Sequence, residues 1–110
     1  MKTLKFSKEL IPAMLADEKT TTWRCFDDKD LKEGDELLFL EHGDEKPLAK
    51  AILTGVEEKS FRELSEEDKI GHEEFKNDEE MYKVYSGYYK KEITPDTSLK
   101  IIRFKILEKI

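Results

Sequence analysis

The segment Glu36–Glu41 constrains the fold most. It carries Leu37-Leu38-Phe39-Leu40, a continuous apolar run in a chain whose residues are 42% charged. A short uninterrupted run of this kind suits a strand covered on both faces, as in a small closed barrel. Turn residues bound it on each side: Lys32-Glu33-Gly34-Asp35 before and His42-Gly43-Asp44-Glu45 after. Leu48 to Val56 then reads as the antiparallel partner strand. A chain of 110 residues holds one domain, here 1–110, and leaves no room for a second.

Three more strands are expected. Lys2 to Phe6 places Leu4 and Phe6 on one face, and Thr20 to Phe26 is rich in β-branched and aromatic residues. From Leu99 to Leu107, Ile102, Phe104 and Ile106 alternate with Arg103 and Lys105. Helices are expected between them. Ser7 can cap a helix that begins near Ile11 and ends at Ala16, a start that tolerates Pro12 in the first turn. Ser60-Phe61-Arg62-Glu63 has the form of a capping box. Asn77 opens a helix whose apolar face is Met81, Val84, Tyr85 and Tyr88. The expected fold class is α+β: a small β-barrel of five to six strands with two to three flanking helices.

Charge bears on partners. Lys and Arg number 20 against 26 Asp and Glu, a net charge of −6. Capture of a long nucleic acid by bulk electrostatics calls for a basic surface, so contact with RNA would have to go through a local cationic cleft. The chain has no apolar run near the ~20 residues of a membrane span and no signal-peptide core at its start. The single cysteine, Cys25, excludes an internal disulfide and a multi-cysteine zinc site. These features give the expectation of a cytoplasmic protein with no membrane partner, no metal and no cofactor.

One stretch carries chemistry. In Lys19-Thr20-Thr21-Thr22-Trp23-Arg24, a lysine, a hydroxyl and an arginine fall at K-x-x-T-x-R spacing. On a strand Thr22 and Arg24 share a face, while Thr21, Trp23 and Cys25 point the other way. Lys19 can join Thr22 only from a turn, where the period of two lapses. On residue types alone these are also ordinary surface cations and a strand threonine.

The wider pattern resembles the ASCH domain family, named for homology to an activating signal cointegrator and built on a PUA-like barrel. That family's hallmark is G-x-K-x-x-T-x-R followed by a strand opening with a G-D pair. Lys19, Thr22 and Arg24 match the first element and Gly34-Asp35 the second. Leu64 to Asp68, Glu73-Glu74-Phe75 and the closing Phe104-Lys105-Ile106-Leu107 follow the family layout, so the resemblance spans nearly the whole chain. One departure is Asp17, which stands where the family usually has glycine.

The resemblance implies an RNA-related role, with RNA or a modified nucleoside as partner. Some small bacterial members resemble amidohydrolases that remove the acetyl group of acetylcytidine, using a lysine, a threonine and a glutamate. Carried over, these are Lys19, Thr22 and either Glu73 or Glu74, with Arg24 binding substrate. The competing expectations are a non-catalytic RNA-binding or protein-interaction module, and a ribonuclease. Trp23 and Cys25 read as core. His42 reads as solvent-facing, and His72, a lone histidine, as neither acid/base nor ligand by default. Tyr82 and Tyr89 lie off the helical stripe, where one ring could stack on a base.

Overall fold

A computed structural model describes all 110 residues. Strand β1 is Lys2–Phe6, followed by a 3-10 turn at Lys8–Leu10 and helix α1, Ile11–Leu15. Next come β2 (Thr21–Arg24), β3 (Glu36–Glu41) and β4 (Pro47–Ser60). A second 3-10 turn at Phe61–Glu63 leads to α2 (Glu66–Lys69), α3 (Asp78–Tyr89) and β5 (Ser98–Lys109). The strands form one sheet in the order β1-β3-β4-β5-β2. All neighbours are antiparallel except β1 and β3. The fold is α+β, a curled five-stranded half-barrel with three α-helices. No helix is long and apolar enough to cross a membrane.

Local chemistry accounts for the elements. Pro12 lacks the N–H that a continuous helix from Lys8 would need, so the segment splits into a 3-10 turn and then α1. The Ser7 side chain makes no cap bond, contrary to the sequence expectation; its carbonyl accepts from Leu10 N instead. The expected box at Ser60 is formed, with Glu63 Oε1 accepting from Ser60 N at 2.9 Å. Asn77 caps α3 by accepting from Glu80 N at 2.8 Å.

Strand β3 has the predicted bounds, but only one of its faces is sealed. Leu37 and Phe39 are fully buried, whereas Leu38 and Leu40 lie half-buried opposite Lys50 and Pro47. Strand β4 bends around the core through irregularities at Lys50/Ala51 and Leu53/Gly55. Inside the curl, Leu4, Phe6, Met14, Leu37, Phe39, Leu53, Ile102 and Phe104 pack together. On the other side of β5 and β2, Trp23, Cys25, Phe61, Met81, Tyr85, Leu99 and Ile101 form a second core under α3.

The buried stripe of α3 differs from the expected one. Met81 and Tyr85 are buried and Tyr82 and Tyr89 pack against that core, while Tyr88 is 62% exposed. The Tyr82 ring lies edge-on to Phe61, and the Tyr89 hydroxyl accepts from Cys25 N at 3.0 Å.

The outer strands β1 and β2 do not pair with each other. Side chains of β2 and the β2–β3 connection bridge them. Arg24 Nη2 donates to Lys5 O at 2.6 Å and Lys29 Nζ to Thr3 O at 2.9 Å. The exposed edge of β1 thereby has two of its carbonyls satisfied without another strand.

Candidate functional site

The turn between α1 and β2 delivers Lys19. Glu18 N and Asp17 N donate to Ala13 O and Met14 O, the paired bonds of a Schellman helix end. Its left-handed position is Asp17, with φ 60°. That is the conformation glycine adopts freely, which explains why the motif favours glycine there. Asp17 completes the turn despite its Cβ, and the chain enters β2 with Lys19 turned inward.

Lys19 is only 3% exposed. Its Nζ donates to Thr21 O at 2.8 Å and makes an ion pair with Glu73 Oε2. Glu73 lies 54 positions away in sequence. Gly71 makes that approach possible: its carbonyl accepts from Thr20 N at 2.9 Å and Thr21 N at 3.1 Å, and Thr21 Oγ1 donates to Ile70 O at 3.0 Å. These bonds stitch the loop carrying Glu73 onto β2.

Thr22 is buried in β2, opposite Ile102 of β5. Its hydroxyl has no protein partner, yet no sealed side-chain polar atom is left unpaired, so the hydroxyl keeps contact with solvent. It is not hydrogen-bonded to Lys19 in this conformation. Arg24, on the same strand face, lies with its guanidinium 4.8 Å from the Phe6 ring centroid. Only Nη2 of Arg24 makes a hydrogen bond, to Lys5 O, which leaves further N–H groups to meet an oxygen of a ligand.

Burial lowers the Lys19 pKa from its ordinary value; Glu73 opposes that shift and the Arg24 charge adds to it. Burial alone would raise the Glu73 carboxyl, but His72 and Lys19 outweigh it and hold it below the ordinary carboxylate value. Glu74 is exposed and makes no side-chain hydrogen bond. Of the two glutamates left open by the sequence, the structure brings Glu73 to Lys19 and leaves Glu74 outside.

Glu73 and Glu74 also line the largest cleft, ≈680 Å³, with Trp23, His72, Phe75 and Met81. Lys19, Thr22 and Arg24 do not line it, so Glu73 stands between this cleft and the motif residues. Arg24 opens instead onto a smaller depression with Phe26, Asp27 and Lys100. No group of three or more His, Cys, Asp or Glu side chains is gathered in a way that would hold a metal ion.

His72 is the residue that sequence reasoning passed over. It is buried, stacked on Trp23 with ring centroids 3.8 Å apart, and adjoins Glu73. Its partners Trp23 and Tyr85 are distant in sequence, so no local pattern announced it. Cys25 is a core thiol that burial raises to about 11, and His42 is exposed.

The fold has clear counterparts among solved structures. An ASCH domain from Lactobacillus crispatus JV V101 superposes with a TM-score of 0.74 at 13% identity, covering 97% of this chain and 80% of that one. Protein EF3133 from Enterococcus faecalis V583, of the DUF984 family, gives 0.75 at 22% identity, with 93% and 72% covered. The hypothetical protein PH0355 gives 0.74 at 26% identity, with 97% and 100% covered. The chain therefore has the ASCH-type fold that its sequence resembles. No family model matches the sequence, and no curated protein matches it significantly.

Proposed function

We propose that this chain is a small amidohydrolase acting on a modified nucleoside, with the acetyl amide of acetylcytidine as its substrate. The observation that carries this reading is the buried Lys19 ammonium held against Glu73, three positions before Thr22 in the chain. The ASCH-type fold supports an RNA-related role but does not select a substrate.

The chemistry balances with this chain's residues and water. Lys19 in its neutral form takes the proton of Thr22 as Oγ bonds to the acetyl carbonyl carbon. Burial of Lys19 favours that neutral form, and Glu73 stabilises the ammonium once it has gained the proton. The carbon–nitrogen bond then breaks, and its electron pair leaves with the cytidine N4, which receives the proton. Water cleaves the threonine ester, releases acetate and restores the hydroxyl. Arg24 supplies N–H donors for the oxyanion or the base carbonyl.

The test is acetate release from acetylcytidine. The wild type turns over, and Thr22→Ala and Lys19→Ala each abolish release; full activity in both variants would remove the assignment.

One observation favours a second reading, a non-catalytic RNA-binding module. Lys19 is engaged by Glu73 and Thr21 O and makes no bond to the Thr22 hydroxyl. Such a module would hold single-stranded RNA with salt-dependent affinity and release no acetate.

A further inference from the structure

Glu73 sits on a loop, and a loop carboxylate ordinarily samples several rotamers. Here a side chain stands behind it. The His72 ring is sandwiched in aromatic surroundings: Trp23 of β2 stacks on it at an interplanar angle of 17°, and Phe75 and Tyr85 flank it. Both ring nitrogens are engaged. Nε2 is 3.0 Å from the Tyr85 hydroxyl of α3, and Nδ1 is 3.0 Å from Glu73 O.

These two contacts fix the tautomer. A backbone carbonyl can only accept, so Nδ1 carries the hydrogen and donates it to Glu73 O. Nε2 then holds the lone pair and accepts from Tyr85 Oη. The same Nδ1 lies 3.5 Å from Glu73 Oε2, the oxygen that meets Lys19. Burial, reinforced by the Lys19 charge, depresses the imidazole to about 4, so the ring is neutral near pH 7. The charged or titratable groups facing it are Glu73 on the loop, Lys19 on the α1–β2 turn and Tyr85 on α3; Trp23 and Phe75 are uncharged.

We propose that His72 is a positioning residue: with its tautomer set by the Glu73 carbonyl and its plane set by Trp23, its Nδ1–H holds the Glu73 backbone and so places the Glu73 carboxylate against Lys19. Thr22 and Arg24 lie on one face of β2, and Trp23 on the opposite face supports the histidine that positions Glu73. The functional meaning of this rests on the amidohydrolase reading, but the arrangement can be measured without any substrate.

Two NMR measurements on the intact protein test it. Nitrogen-15 shifts of His72 should show a protonated Nδ1 and an unprotonated Nε2 across about pH 5 to 8. The Glu73 carboxyl, followed by carbon-13 shift, should titrate higher in His72→Phe, which keeps a ring on Trp23 but removes the donor. His72→Asn, which restores an N–H donor near the Nδ1 position, should bring the midpoint back toward the wild-type value. A packing role alone would be met by Phe and not by Asn. Should His72→Phe fail to fold, Tyr85→Phe removes only the hydroxyl, and the Nδ1–H tautomer should persist because the Glu73 carbonyl still accepts from it. An Nε2–H tautomer in the wild type, or a Glu73 midpoint unmoved in His72→Phe, overturns the proposal. Absence of turnover in the wild type would count against the substrate reading alone, because both NMR readouts would still decide the role of His72.

Discussion

Gly71 lies so close to Thr20 that a Cβ placed on it would stand 2.1 Å from Thr20 Oγ1. Its φ of +76° is also a backbone region that side chains disfavour. This contact sets the distance between β2 and the loop that follows α2, and so sets the reach of Glu73 toward Lys19. Gly71→Ala should cost at least ~1–2 kcal/mol from the backbone conformation alone, with the clash added. Urea unfolding will show a lower midpoint, and the Lys19–Glu73 contact should loosen before the barrel does.

Asp17 tests the opposite sign. It holds the left-handed position of the α1 Schellman turn, and its carboxylate sits at a helix C-terminus, where negative charge is unfavourable. Asp17→Gly removes both penalties and adds back some unfolded-chain freedom. The expected net result is a gain of a few tenths to ~1 kcal/mol, read from the urea midpoint. A lower midpoint would show that the Asp17 side chain helps the turn in a way its geometry does not reveal.

Asp68 contributes to the response to acid. It is buried, and accepts from Ser65 N at 2.9 Å, Lys59 Nζ at 2.9 Å and Arg103 Nη2 at 2.9 Å. Burial would raise its pKa, but the hydrogen bonds from Lys59 and Ser65 and the Lys59 charge outweigh it and bring the carboxyl to about 2. A folded pKa below the unfolded value means stability that is present above ~4 and lost as pH falls toward 2. Asp68→Asn should lower stability at pH 7 by ~1–3 kcal/mol and flatten the stability profile between those limits. An unchanged slope would place the acid sensitivity elsewhere.

Much of this fold is written in local pattern. The β3 run, the capping box at Ser60, the cap at Asn77 and the alternation in β5 depend on neighbours in sequence, and each gave an element close to the observed one. Strand β4 runs on to Ser60, beyond the expected Val56, because Glu57, Glu58 and Lys59 pair with Ile101, Lys100 and Leu99 of β5. Their charged side chains show no apolar alternation. Helix α2 was missed although Ser65 and Asp68 form a capping box, since it spans only four residues. The α3 stripe was misplaced because Tyr82 and Tyr89 bury rings against Phe61 and Tyr85 that lie elsewhere in the chain or a turn away.

The candidate site divides in the same way. Lys19, Thr22 and Arg24 sit within six residues, and their spacing alone marked them. Choosing Glu73 over Glu74 required knowing where Gly71 is pinned, a tertiary fact. His72 required three elements at once: Trp23 from β2, Tyr85 from α3 and Glu73 from the loop.

The most direct measurement compares acetate release from acetylcytidine by the wild type, Glu73→Gln and Glu74→Gln under identical conditions. The geometry predicts turnover by the wild type, a loss of ~100-fold or more in Glu73→Gln, and near-wild-type rates in Glu74→Gln. No release by the wild type, or equal rates in the two variants, would contradict a hydrolytic site built on Lys19, Thr22 and Glu73.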